Sequence, residues 1–348
     1  MTAEHPFAQY IRILGKGKKG SRGLTHDEAH AAMGMLLDGA IEDVQLGAFL
    51  MLLRYKEETA DELAGFARAV QERVVAPAIR VDLDWPTYAG KRRQLPWYLL
   101  AARALAASGI RILMHGGGRH TDGRLYTEDL LEELDIPRCH DWQEVEQALD
   151  THNLAYIGLG QWMPRLQHCM DLRSTLGLRS PVHSLARLLN PLQARCVLQG
   201  IFHPGYQPIH QQANVLLGQH ALVIKGDAGE MEVRADTDGV VLGAKDGMTW
   251  EEEWPALVGR QVRPQTLQAE RLLAVWSGRE TDVHGEHAVL ATMALALRGL
   301  GRQREVALAE AAQLWQKRFL SGNRKDGSRT STVAADGDPC LPAHAESG

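Results

Sequence analysis

Apolar residues follow two different rhythms along this chain. Up to about residue 78 they recur at helical spacing. Thr25-His-Asp-Glu28 has the form of a capping box, where a threonine and a glutamate three residues on satisfy each other's backbone N–H groups; it opens a helix ending near Gly39. Leu46-Gly-Ala-Phe-Leu-Met-Leu-Leu53 is apolar nearly all round, which places it at the centre of a small bundle. Thr59-Ala-Asp-Glu62 is a second box and opens a helix running to about Val75, before Pro77. Beyond Pro77 short apolar runs alternate with helical segments: 79–83, 97–108, 110–114, 125–134, 145–149 and 154–159. That alternation predicts βα units and a mostly parallel sheet. A helical stretch over 164–192 follows, then runs at 196–202, 221–225 and 231–233, a helix around 211–218, and helices over 270–300 and 304–320. The predicted organisation is a helical domain over 1–78, joined by part of 164–192, an α/β domain over 79–320, and a disordered tail over 321–348 that is rich in Gly, Ser, Thr, Asp and Pro.

Composition narrows the class. Of 348 residues, 45% are apolar and 23% charged, the balance of a globular protein. No run of about 18 apolar residues could span a membrane, and the first residues lack the basic-then-apolar pattern of a secretion signal. Cys139, Cys169, Cys196 and Cys340 have no CxxC spacing, so reduced thiols and a cytoplasmic location are expected rather than a disulfide frame or zinc site. The net charge of −5 argues against a wholly basic nucleic-acid binder, but distribution matters more than the sum.

Candidate chemistry concentrates in a few loops. Tyr88-Ala-Gly-Lys-Arg-Arg-Gln-Leu-Pro96 joins the strand-like run 79–83 to an apolar helix over 97–107. A strand-to-helix loop presents unpaired N–H groups and a positive dipole end, a ready place for an anion. This loop carries one glycine, Gly90, and then Lys91, Arg92 and Arg93, so it is basic but bulky for a tight cradle. Ile110-Arg-Ile-Leu-Met-His-Gly-Gly-Gly-Arg119 runs an apolar strand into three glycines, which suits close backbone approach to an anion or equally a flexible turn. Asp171-Leu-Arg-Ser-Thr-Leu-Gly-Leu-Arg-Ser-Pro181 carries Arg173 and Arg179, which the residues alone leave as ligand contacts or solvated surface. In Ala221-Leu-Val-Ile-Lys-Gly-Asp-Ala-Gly-Glu-Met-Glu232, Glu232 has methionine as its neighbour, a poor arrangement for Mg²⁺. The run Leu14-Gly-Lys-Gly-Lys-Lys-Gly-Ser-Arg22 is a solvated loop or a basic arm for phosphates.

In this order the pieces resemble the anthranilate phosphoribosyltransferase family, glycosyltransferase family 3, together with the thymidine and pyrimidine nucleoside phosphorylases. The resemblance covers about residues 10–320 and is most specific over Gln45–Gly65 and over 172–180 with Asn190-Pro191. It implies a small helical domain beside a larger α/β domain with a mostly parallel sheet, a substrate cleft between them, and a homodimer formed through the helical domain. It also implies an ancestral cleft lined by Gly90, His115, Gly116, Arg119 and Arg173. The family's Gly-Thr-Gly-Gly-Asp pyrophosphate loop is replaced here by 88–93, its Lys-His-Gly-Asn-Arg by 114–119, and its Mg²⁺-holding Asp-Glu pair by Met231-Glu232. Three altered elements in one cleft are similar to the divergent YbiB-type branch, whose members bind nucleic acid. The expected function is therefore sequence-non-specific binding of DNA or RNA through phosphate contacts at Lys16, Lys18, Lys19, Arg22, Lys91, Arg92 and Arg93, with no catalytic residue, metal or cofactor. The alternative is an active phosphoribosyl or glycosyl transferase with an unusual acceptor, in which His115 or His183 assists proton transfer.

Overall fold

The computed structural model describes residues 3–261 and 267–322. The chain opens with four helices, α1 (Ala8–Gly15), α2 (His26–Leu37), α3 (Asp43–Lys56) and α4 (Ala60–Gln71). Then come β1 (Leu83–Thr87), α5 (Tyr98–Ala107), β2 (Ile112–Gly116), β3 (Arg138–Cys139), α6 (Trp142–His152) and β4 (Leu154–Gly158). Four short helices follow, α7 (Leu159–Trp162), α8 (Pro164–Asp171), α9 (Arg173–Leu176) and α10 (Val182–Leu185). The rest comprises β5 (Cys196–Ile201), α11 (Tyr206–Leu217), β6 (Ala221–Lys225), β7 (Gly239–Lys245), β8 (Met248–Trp254), α12 (Glu270–Trp276), α13 (Val283–Gly299) and α14 (Arg304–Gly322).

Both capping boxes form. Glu28 N–H donates to Thr25 Oγ1 at 3.3 Å and Thr25 N–H to the Glu28 carboxylate at 2.9 Å. The equivalent pair at Thr59 and Glu62 spans 3.2 and 2.8 Å. Phe7, Phe49 and Phe66 meet edge to face at the centre of the bundle. The same core takes in Leu159, Leu166, Met170, Leu185 and Leu189, so the helical layer is built from two separate stretches of chain.

The sheet has eight strands in the order β3-β4-β2-β1-β5-β6-β7-β8. Pairing is parallel from β3 to β6, and the β7–β8 hairpin closes one edge antiparallel. From β1 the chain moves to β2 on one side and later to β5 on the other. Loops leaving the carboxyl ends of strands at such a reversal open onto a crevice, the usual ligand position in open α/β sheets.

Several expectations shift. The run 79–83 is not a strand: Ile79 and Val81 pack into a core on one face of the sheet, and β1 starts only at Leu83. Asp84 and Pro86 hid that strand, because both are poor strand residues. Pro86 is tolerated because β1 pairs with β5 only at Leu83 and Asp84, so the missing N–H falls beyond the ladder. Residues 125–134 hold a short 3₁₀ turn, Thr127–Asp129, instead of a helix. Residues 231–233 join no strand, and the expected helix at 211–218 begins earlier, at Tyr206. Residues 323–348 of the expected tail lie outside the described residues.

Candidate anion-binding cleft

The loop after β1 is held by a carboxylate of its own chain. Gly200 and Gly226, at the ends of β5 and β6, sit so close to Glu230 that a Cβ at either would collide with its backbone. The turn 227–232 is thereby pressed against the β1 loop. Glu230 Oε1 accepts the N–H groups of Ala89 and Gly90 at 2.7 and 2.5 Å. Glu232 Oε2 accepts the Tyr98 N–H, the first of α5, at 2.9 Å. Two glutamates thus occupy the loop amides and the helix N-terminus that would otherwise attract a phosphate. On the other side, Arg124 donates to the carbonyls of Ala89 and Gly90 at 3.0 and 2.9 Å. Gly90 has φ +68°, and a Cβ there would lie 2.9 Å from the Tyr126 ring. The glycine is required by both the turn and the packing.

Lys91 points inward. Its side chain is 0% exposed and its ammonium donates to Asp227 and, at 2.7 Å, to Glu232. Burial would lower the Lys91 pKa, but the two carboxylates outweigh it and hold the amine charged. Burial pushes Glu232 up to about 7, with Lys91 pulling it back. Glu230 is raised for the same reason, opposed by the loop amides and Arg187. Lys91 was expected to contact nucleic-acid phosphates. The structure corrects this: its charge is committed to an internal pair and its side chain has no access to solvent.

The other expected contacts separate into three groups. Lys16, Lys18, Lys19, Arg92 and Arg93 are exposed. Arg22 is exposed but grips Glu28 with two hydrogen bonds of 2.6 Å. Of the ancestral cleft residues, His115 is fully buried between Tyr88 Oη at 2.7 Å and Asp84 Oδ1 at 2.9 Å, so it is a core histidine beneath the loop. Gly116 is buried too, and a Cβ would meet Thr87 O and Tyr156 Oη at 2.6 Å. Arg119 pairs with Asp129 at 2.6 Å. Arg173 donates to the His120 carbonyl and Arg179 to Thr121 Oγ1 at 3.2 Å, which ties 118–124 to the helical layer.

Beside the loop lies a pocket of about 270 Å³ whose basic lining the sequence did not reveal. Arg54, Arg124, Arg179 and Arg187 line it, with His183, Phe202 and His203, and one buried carboxylate, Glu58, lies on the Arg54 side. Among the described residues no carboxylate lies within ion-pair distance of these four arginines. Burial, then Arg124 and Arg187, pushes the Arg179 pKa down to about 10. Burial, then His120, Arg179 and Arg187, hold His183 well below its usual value, and burial, then Arg179, Arg173 and Arg187, hold His120 at about 4.

Two family models match the chain: the glycosyl transferase family helical bundle domain over residues 8–74 and its α/β domain over 98–329. The chain belongs to this glycosyl transferase family. Among curated members, anthranilate phosphoribosyltransferase of Bacillus caldotenax is 30% identical over 241 residues, 68% of this chain and 98% of that one. The uncharacterized protein YbiB of Escherichia coli is 28% identical over 274 residues, 76% of this chain and 84% of that one. Solved folds agree. Anthranilate phosphoribosyltransferase of Thermus thermophilus superposes with TM-score 0.67 at 22% identity, covering 92% of this chain and 100% of that one. The Saccharomyces cerevisiae anthranilate phosphoribosyltransferase in complex with PRPP and Mg gives 0.68 at 18%, covering 92% and 95%.

The glycosyl transferase fold implies a Mg²⁺ and pyrophosphate site near the β1 loop, and the residues present do not fit one. The Lys91 ammonium lies between Asp227 and Glu232, the carboxylates that could reach a cation. The Glu230 carboxylate lies on the amides that could hold an anion. Each group has a built-in substitute of matching charge.

Proposed function

We propose that this family member binds nucleic acid through phosphate contacts, without sequence preference and without phosphoribosyl transfer. The observation that carries the reading is the internal closure of the old site: Glu230 on the loop amides and Lys91 between Asp227 and Glu232. Positive charge remains around it, on exposed Arg92 and Arg93, on exposed Lys16, Lys18 and Lys19, and on the pocket arginines, which have no carboxylate within ion-pair distance. Cations that are not neutralised by a carboxylate of their own chain can release counterions from a phosphate backbone. The sequence carries no base-readout motif, so little sequence preference and acceptance of single strands are expected.

The helical layer supplies the second half of the proposal, a homodimer. Val44 and Tyr55 on α3 are 79% and 83% exposed, and Gly47, Ala48 and Met51 lie between them on neighbouring turns. An apolar stripe at helical spacing with nothing on it suits a second copy of the same helix across a two-fold axis.

The test is a gel-shift series with single- and double-stranded oligonucleotides across salt. With about six phosphate contacts per protomer, log K falls against log salt with a slope near −5. Arg92→Ala with Arg93→Ala makes that slope shallower. Salt-independent binding, or turnover of phosphoribosyl pyrophosphate with anthranilate and Mg²⁺, would overturn the proposal.

A further inference from the structure

The arginine pocket differs from the exposed cations in shape, and shape decides what it can take. About 270 Å³ is slightly below the range of common small-molecule sites, about 300–1,000 Å³. A strand passing over the surface presents singly charged diesters and cannot enter such a cavity without bending out a nucleotide. A phosphomonoester carries close to two charges and three free oxygens, and it sits at the end of its molecule. Arg124, Arg179 and Arg187 are half-buried; each spends part of its guanidinium on a backbone carbonyl or the Thr121 hydroxyl but has no carboxylate within ion-pair distance, and with Arg54 at the mouth they offer guanidinium N–H groups that match those oxygens.

The rest of the lining points to a nucleotide. Phe202 is 56% exposed at the rim, a hydrophobic ring left in water beside a basic cavity, with His203 edge-on at 4.9 Å. Exposed rings next to phosphate-binding cations are stacking platforms for bases. His183 is 5% exposed; its Nδ1 faces the Ser180 carbonyl at 3.2 Å and so carries the hydrogen. Its Nε2 is buried with no partner and is an acceptor for a sugar hydroxyl.

We infer that this pocket binds the phosphomonoester of a nucleotide, with the phosphate on Arg124, Arg179 and Arg187 and the base against Phe202. The group can come from a free mononucleotide or from the phosphorylated end of a strand. The inference rests on the nucleic-acid reading only for the second source.

Two arms separate the sources. In the first, adenosine and cytidine 5′-monophosphates are titrated calorimetrically against the corresponding nucleosides. In the second, a single-stranded 12-mer bearing a 5′-phosphate, a 3′-phosphate or neither is followed by fluorescence anisotropy. The monophosphates are expected to bind at least tenfold more tightly than the nucleosides, or the end-phosphorylated 12-mer at least tenfold more tightly than the unmodified one. Preference in the first arm alone assigns a free nucleotide; preference in the second assigns a strand end. Arg179→Gln should abolish the preference. Arg54→Gln, at the exposed mouth, should weaken it severalfold with the melting temperature followed alongside, while Arg92→Ala should leave it intact. No phosphate preference in either arm, or one that survives both Arg179→Gln and Arg54→Gln, overturns the inference. Unmodified 12-mer binding separates the two proposals: monophosphate binding without it would sink the nucleic-acid reading and leave the pocket standing.

Discussion

Lys91 and its neighbours show how differently three adjacent cations can be used. Arg92 and Arg93 are exposed, whereas Lys91 is enclosed with Asp227 and Glu232. Removing one member of a buried ion pair leaves the others desolvated and uncompensated, which costs about 3–5 kcal/mol. Lys91→Met should therefore lower the stability measured by urea unfolding by about that amount. Arg92→Ala and Arg93→Ala should each change it by less than about 0.5 kcal/mol while weakening oligonucleotide binding. Equal stability effects at all three positions would contradict the internal pairing. The sequence showed a basic loop but not which way each side chain turns. Lys91 meets its partners across sequence separations of 136 and 141, and no local pattern reports such a contact. Arg124 and Arg187 were missed for the same reason: they gather only because separate loops converge where the sheet reverses at β1.

At the scale of elements, legibility followed locality. The two capping boxes lie within four residues each and both formed as expected. The β7–β8 hairpin escaped the reading although its turn was written in the chain. Asp246-Gly247 adopts φ of +52° and +75°, and Asp-Gly between apolar runs is a strong hairpin signal. Strand β1 went the other way, since Asp84 and Pro86 contradict a strand locally and only parallel pairing with β2 overrides them. Helix α3 carries a prediction of its own. Val44→Asp with Tyr55→Asp places charges on the exposed stripe and touches nothing in the bundle core. Light scattering should then report a monomer with an unchanged melting temperature; a variant that still dimerises would move the interface elsewhere. Loss of the dimer should also weaken oligonucleotide binding, because two linked sets of contacts bind more tightly than one.

Over the whole molecule, a net charge of −5 coexists with a pocket of arginines that no carboxylate neutralises, and the buried ionisable groups record that separation. Burial and then the nearby cations hold His120 at about 4, while burial holds Glu232 at about 7. The two shifts act on stability with opposite signs. His120 has a folded pKa below its unfolded value of about 6.5. Between pH 6.5 and 4 the unfolded chain takes up the proton and the folded one does not, so this group makes stability fall on acidification. Glu232 has a folded pKa above its unfolded value of about 4.3. Between pH 7 and 4.3 the folded chain takes up the proton first, so this group makes stability rise on acidification. Melting temperatures taken from pH 7 to 4.5 should therefore diverge between variants. His120→Gln should gain on the parent protein as the pH falls, and Glu232→Gln should lose on it. Parallel curves would mean that neither group is shifted. Part of the His120 shift comes from Arg179, Arg173 and Arg187, so filling the pocket with a phosphomonoester should neutralise that field and bring the His120→Gln curve back toward the parent.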